Sequence, residues 1–370
     1  MRHTLIVTND FPPRRGGIQS FVHALALRLP PEQLTVYAPK WEGATAFDND
    51  QPFEVIRHPA SLMIPEPSVA RRAAAMARER GTQTVIFGAA APLGLLAPTL
   101  KRAGVTKTIG ITHGHEAGWA ALPVARQLLR RIGDANDTLT YLGEYFRTRV
   151  ARALSPEAAA RMTRLAPGVD LEEFRPDAQR RTKIREHLNL SEDRPVVVCV
   201  SRMVPRKGQD TLIRAWPSVR AKIPDAVLLL VGDGSYAAKL TTLADGDDSI
   251  RFTGQVPAAD LAAYYCAGDV FAMPCRTRHG GLDVEGLGIV YLEASACGLP
   301  VVGGDSGGAP DAILEGESGF VTSGQESLTA RLTELLTDPA KARAMGEKGR
   351  AWTEREWGWD QVAARLRALL

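Results

Sequence analysis

Short apolar runs alternate along the chain with longer segments whose apolar residues recur every three to four positions. Residues 3–8 (HTLIVT) form the first such run, uninterrupted in the manner of a strand covered on both faces of a parallel sheet. Further strands are predicted at 34–38, 54–57, 84–87, 106–111 and 138–142, with helical spacers between several of them. Residues 18–29 read as a helix, and 119–132 as an amphipathic helix broken or begun at Pro123. Residues 166–177 (APGVDLEEFRPD) interrupt the pattern with proline, glycine and acidic side chains and read as a linker. A charged helix at 180–188 leads into a second series of strands at 195–200, 226–231, 250–253, 270–273, 300–302 and 319–321. An amphipathic segment, 357–370, ends the chain. Two strand–helix series of comparable size predict an α/β protein of two doubly wound parallel-sheet domains, residues 1–170 and 171–356, facing across a cleft.

Composition narrows this picture without changing it. A length of 370 residues suits two domains with real cores. The four cysteines, Cys199, Cys266, Cys275 and Cys297, form no C-x-x-C pair. Cys199 and Cys297 fall in apolar runs, as buried free thiols of a reducing compartment do. The first residues read as a strand and not as a signal peptide, and no apolar run approaches the roughly 20 residues of a membrane span, so a cytoplasmic location is expected. The net charge of +3 hides an asymmetry: residues 1–175 carry 22 Lys and Arg against 16 Asp and Glu. A basic first half suits either an ordinary solvated face or contact with an anionic membrane or acceptor. The segment 119–132 (WAALPVARQLLRRI) adds apolar and arginine faces, which fit a membrane surface or packing on its own domain.

Candidate chemistry gathers just after the strands, where open α/β sheets hold ligands. After the first strand, Pro12 and Pro13 stop the extended chain, and Gly16 and Gly17 allow close backbone approach before a helix. The absence of G-x-G-x-x-G argues against a dinucleotide. His113 and His115 sit in THGHEAG at another strand exit, with His113 nearer the strand. H-x-H without further ligands is a weak metal signal. Asp48 and Asp50 match D-x-D but lie in what reads as a polar loop without strand context, so no required divalent metal is expected. Arg202 and Lys207 follow PVVVCV in SRMVPRKGQD. There they would clamp a diphosphate, Arg as a fixed fork and Lys as a mobile point charge. Residues 232–234 (GDG) and 254–257 (GQVP, with Gly254 and Val256) would wall a base and ribose. Finally, Glu285 lies among glycines and Glu293 in the helix-like run 289–296, an arrangement that offers free amides and a positive helix end to a phosphate.

Taken together, these strings resemble glycosyltransferase family 4, retaining enzymes of the two-domain GT-B type with Rossmann-like halves. The resemblance rests on GGIQSF at 16–21, THGHE at 112–116, PGVD at 167–170, SRMVPRKG at 201–208 and E-x7-E at Glu285 and Glu293, and covers essentially the whole chain. Within the family the chain is most similar to mannosyltransferases that use GDP-mannose to extend phosphatidylinositol mannosides. The resemblance implies that Arg202 and Lys207 hold the diphosphate and Glu293 the ribose. Glu285 would face the transferred sugar, with the amides of Gly286, Leu287, Gly288, Ile289 and Val290 around its hydroxyls and phosphate. His113 would lie near the sugar's O6 and reacting carbon. Gly16 and Gly17 would shape the phosphate side, with Gln19 and His115 toward the acceptor. The last helix would return to the N-terminal domain. The partners implied are a nucleotide sugar and a glycolipid, with no nucleic acid. Nothing in the sequence singles out a nucleophile for double displacement, so front-side attack is expected. Two alternatives stay open: another nucleotide sugar with a soluble acceptor, and a nucleotide-sugar epimerase.

Overall fold

Two parallel sheets organise the computed structural model, which describes residues 3–370. The first contains β1 (Thr4–Val7), β2 (Leu34–Pro39), β3 (Glu54–His58), β4 (Thr84–Phe87), β5 (Lys107–Ile111), β6 (Thr138–Tyr141) and β7 (Thr163–Arg164). The second contains β8 (Val196–Val200), β9 (Val227–Val231), β10 (Ile250–Phe252), β11 (Val270–Met273), β12 (Val301–Gly304) and β13 (Gly319–Thr322). The orders are β3-β2-β1-β4-β5-β6-β7 and β10-β9-β8-β11-β12-β13. Each sheet therefore starts in its interior, winds outward and then restarts on the other side of its first strand. The carboxyl ends of β1 and β4, and of β8 and β11, flank the two switch points where such sheets open a crevice.

The continuous apolar runs form these strands because both faces are covered. Every residue of β8, β9 and β11 is buried. In the first sheet, Leu5, Val7, Val85 and Phe87 pack with Val69, Ala73 and Met76 of helix Pro67–Glu79 and with Leu100. The chain divides into two units. One runs to Pro167 and takes in Val362–Leu370; the other is Gly168–Gln361.

Several predicted elements differ in detail. The predicted linker is partly built into the second unit: Val169 N donates to Trp357 O (2.8 Å), and a Cβ on Gly168 would meet the Trp359 ring at 2.8 Å. The D-x-D segment is not a loop, since Asp48 lies in helix Ala44–Asn49 and pairs with Arg57 of β3 at 2.7 Å. That pairing consumes Asp48 structurally. The segment around Pro123 is two helices, Glu116–Ala121 and Pro123–Ala135, because proline is favoured at a first helical position, where its missing N–H costs no helical hydrogen bond. Trp119, Leu129 and Ile132 pack into a core cluster, whereas Leu122 (63 %) and Val124 (74 %) stand exposed. All four cysteines are buried free thiols.

Candidate active site

At the switch point of the second sheet, the loop after β8 turns through a 3-10 segment, Pro205–Lys207, into helix Gln209–Arg220. Gly208 makes this turn in the left-handed region (φ 79°), and a Cβ there would lie 2.0 Å from the Pro274 carbonyl just after β11. Only glycine permits that approach. Asp210, in the first turn of the helix, ties the same two loops through Arg276 (2.8 Å) and also pairs with Arg214 (2.8 Å). Desolvation pushes the Asp210 carboxyl up, but the two guanidiniums outweigh it and hold the group below its ordinary value.

The Lys207 ammonium, on an 8 % exposed residue, lies 2.8 Å from Glu285 Oε2. Arg206 Nη1 binds the same oxygen, and its Nε lies 3.3 Å from Asp283 Oδ1. Glu285 is 5 % exposed. Its backbone is held by the loop after β12: Glu285 N donates to Ser306 Oγ (3.3 Å) and Gly308 N donates to Glu285 O (2.9 Å). A Cβ on Gly307 would stand 2.0 Å from Glu285 O, and one on Gly308 2.1 Å from Gly286 O. Gly286 itself has open space around its missing Cβ. Gly288, at φ 75°, precedes helix Ile289–Ala296, whose start has no side-chain cap. The amides at this start are therefore available to an anion.

Glu293 lies one turn into that helix. The Tyr265 hydroxyl donates to its Oε2 at 2.6 Å. Burial raises the carboxyl above its ordinary value, against the Tyr265 hydrogen bond and the Lys207 charge. Lys207 thus acts on both glutamates. Arg202 is exposed at the same sheet edge and forms no ion pair among the described residues. Beside it, Gly232 N donates to Gly254 O (3.0 Å), and Cβ atoms on Gly232 and Gly234 would meet the Ser201 and Met203 carbonyls at 2.4 and 2.3 Å. Val256 is half-buried beyond Gly254.

In the first unit, His113 follows β5 and its Nε2 lies 2.5 Å from the Gly88 carbonyl oxygen. A carbonyl only accepts, so Nε2 carries the proton and Nδ1 is the acceptor of the neutral ring. Burial lowers the His113 pKa, while the Glu116 charge and the Gly88 bond oppose that shift. The His113 amide donates to Glu116 Oε2 (2.9 Å). The ring stands edge-on to Phe21 and stacks on His115 with centroids 6.3 Å apart. His115 is exposed, its Nε2 3.3 Å from Glu116 Oε1. Gln19 donates to Asp10 Oδ1 (2.7 Å), and a Cβ on Gly16 would meet Gln19 Oε1 at 2.1 Å. Gly17 has nothing within 4 Å of its missing Cβ.

The second unit thus brings Lys207, Glu285, Glu293 and the 286–290 turn together, with Arg202, Gly254 and Val256 along the same edge. The first unit brings together His113 with His115, and Gly16 with Gln19. Sequence reasoning missed Arg206, Asp283, Tyr265, Ser306, Gly307 and Gly308. Arg206, beside Lys207 at a strand exit, carried a signal of its own. Tyr265 carried none. A cavity of about 590 Å³ in the second unit lies at the opposite end of the sheet, beside Pro195, Asp269 and Pro300, which precede strands, and shares none of these groups. Among the described residues, no group of three or more His, Cys, Asp or Glu side chains could hold a metal ion, and no helix is long and apolar enough to cross a membrane.

Comparison with known proteins agrees with this arrangement. A family model described as Glycosyl transferases group 1 matches residues 180–352, and one described as Glycosyltransferase Family 4 matches residues 15–173. A Mycolicibacterium smegmatis protein named GDP-mannose-dependent alpha-(1-6)-phosphatidylinositol monomannoside mannosyltransferase is 52% identical over 375 residues, covering 99% of this chain and 97% of the relative. A Corynebacterium glutamicum protein, named as the enzyme for the monoacylated form of that acceptor, is 47% identical over 375 residues, covering 100% and 98%. Among solved structures, Anabaena HepE in complex with UDP superposes with a TM-score of 0.80 at 17% identity, covering 99% of this chain and 98% of that one, which speaks to the fold alone. Two doubly wound sheets with this likeness are the GT-B architecture, and identity of this extent over nearly the full length shows that the chain belongs to glycosyltransferase family 4.

Proposed function

We propose that the protein transfers mannose from GDP-mannose to a phosphatidylinositol mannoside, with retention of the α configuration. The observation that carries this reading is the cluster of Lys207, Glu285 and Glu293 around an uncapped helix start at a sheet switch point. It offers a cation for a diphosphate, free amides for phosphate and sugar oxygens, and carboxylates for hydroxyls. The full-length likeness to the GDP-mannose-dependent relatives supports the choice of donor and acceptor.

In this reading the second unit holds the nucleotide sugar. Arg202 and Lys207 take the diphosphate, Glu293 the ribose, and Gly254 and Val256 flank the base and ribose. Glu285 and the amides of residues 286–290 take the mannose. In the first unit Gly16 and Gly17 shape the phosphate side, Gln19 and His115 serve the acceptor, and His113 contacts the transferred sugar. The acceptor hydroxyl oxygen bonds to the anomeric carbon on the face from which the phosphate leaves. That C–O bond to phosphate breaks, and the departing phosphate oxygen takes the hydroxyl proton. The protein contributes positioning and stabilises charge on the leaving GDP, without a required divalent metal.

The acceptor is a lipid, and we place the protein at the cytoplasmic face of the membrane as a peripheral enzyme. Exposed Leu122 and Val124 stand next to exposed Arg126, Arg130 and Arg131, an apolar and basic surface suited to anionic lipid. The test is a matrix of GDP-mannose and UDP-sugars against a phosphatidylinositol mannoside in vesicles, with and without a chelator. Transfer from GDP-mannose that survives chelation, giving an α-linked product, is expected. Turnover only with another donor or a soluble acceptor overturns the specific assignment. A glycosyl adduct trapped on Glu285 overturns front-side attack.

A further inference from the structure

Both cations that hold Glu285 bind one oxygen. Arg206 Nη1 and Lys207 Nζ both make their closest approach to Oε2, and no hydrogen bond to Oε1 forms among the described residues. The two cations are not equivalent. Lys207 is a point charge on a flexible stem that also acts on Glu293. Arg206 is fixed from three directions. Its Nε faces Asp283 Oδ1 at 3.3 Å and its Nη1 faces Glu285, while its carbonyl accepts from Arg276 N at 2.8 Å. Asp283 is in turn held by Arg278, through a 3.5 Å ion pair and the backbone bridge between the two residues.

From this geometry we infer that Arg206 is the positioning residue of the donor site: it retains Glu285 Oε2 while Lys207 turns to the donor's diphosphate, and so presents Oε1 to the hydroxyls of the transferred sugar. This rests on the nucleotide-sugar reading above. A diphosphate arriving beside Lys207 competes with Glu285 for the ammonium. Without a second cation, the 5 % exposed carboxylate would be left unpaired next to a new negative charge, which buried carboxylates tolerate poorly. The rigid guanidinium fork can hold Asp283 and Glu285 at once, which an ammonium at that position cannot reproduce. Arg206 acts through Glu285 and not by touching the nucleotide.

The experiment compares wild type with Arg206→Met, Arg206→Lys and Asp283→Asn in the full chain. It measures GDP affinity by calorimetry and KM and kcat with GDP-mannose. For Arg206→Met, GDP affinity is expected to stay within about threefold of wild type while kcat/KM for GDP-mannose falls about thirtyfold or more, with Arg206→Lys restoring only part of the loss. Asp283→Asn, which leaves the Glu285 pair in place, is expected to lose several-fold in kcat/KM at unchanged GDP affinity. It decides the matter if Arg206→Met fails to fold. Equal loss of GDP and GDP-mannose binding would make Arg206 a phosphate ligand and overturn the inference, as would unchanged turnover in Arg206→Met. Failure of the wild type to bind GDP or GDP-mannose at all would instead overturn the nucleotide-sugar reading, and it would show before any variant is made.

Discussion

In the second unit, the loops at the carboxyl edge of the sheet meet through charges. Lys207 and Arg206 converge on Glu285, and Arg276 on Asp210. In the first unit the corresponding loops meet through neutral donors: the His113 ring on the Gly88 carbonyl, the His113 amide on Glu116 and the Gln19 amide on Asp10. Some glycines differ in the same direction, although Gly286 of the second unit is as open as Gly17. Gly208, Gly307 and Gly308 are required by backbone carbonyls 2.0–2.1 Å from where a Cβ would stand, whereas Gly17 faces open space. A charged, close-packed bed suits a ligand that brings several negative oxygens and must be held by all of them. Loops joined through neutral donors suit hydroxyls, whose orientation matters more than their charge.

The largest test of this contrast is Lys207→Met. Removing the cation that serves both carboxylates is expected to lower kcat/KM for GDP-mannose by about 10²–10³. A loss confined to KM would mean that Lys207 binds ground state and transition state alike, and would weaken its role at the leaving group.

The glycine contrast predicts an asymmetry in stability. Gly307→Ala forces a methyl against the Glu285 carbonyl at a left-handed φ of 56°, and is expected to cost about 1–3 kcal/mol, seen as a lower denaturation midpoint. Gly17→Ala should leave the midpoint where it is. If it lowers turnover while leaving the midpoint alone, a ligand and not the protein occupies the space beside it.

His113→Ala is a smaller change, expected to reduce turnover about tenfold and to strand the Gly88 carbonyl, at about 1–2 kcal/mol. Because burial lowers the His113 pKa, the unfolded chain takes up the proton first as the pH falls through 6.5. The folded protein therefore loses stability progressively below that point. The variant should show a shallower acid limb in a plot of midpoint against pH, and an unchanged limb would mean that the ring titrates normally.

Glu293→Gln should give the mildest and most informative effect on stability. The carboxyl is raised above 4.5, so ionisation favours the unfolded chain as the pH rises from 4.5 through the higher folded value. The variant keeps an acceptor for Tyr265 and loses that penalty. It is expected to be more stable than wild type at neutral pH, equal to it near pH 4 and weaker in donor binding, a trade of stability against function. A variant less stable at neutral pH would show that the Lys207 attraction outweighs burial.

Much of this site was legible because strand exits advertise themselves. An apolar run followed by SRMVPRKG, or by glycines and Glu285, places those groups at the carboxyl edge of the sheet whatever the rest of the chain does. The helix carrying Glu293 was legible for the same reason, and its observed span, Ile289–Ala296, equals the predicted run. The misread elements depended on distant partners. Asp48 looked like part of a free loop until helix Ala44–Asn49 turned it onto Arg57 of the neighbouring strand.

The sequence by itself determined most of the strand and helix series (β7 and helix Ala44–Asn49 excepted), the glycine turns and the family, since these depend on local pattern and on long matching strings. Only the tertiary structure decided which charge serves which. Glu285 takes both its cations on one oxygen from residues nearly 80 positions away, and Tyr265 meets Glu293 across 28. The Gly88 carbonyl, 25 residues before His113, sets which imidazole nitrogen keeps its proton. Such pairings arise where parallel strands bring remote loops to a common edge, and no local pattern encodes which loops those will be.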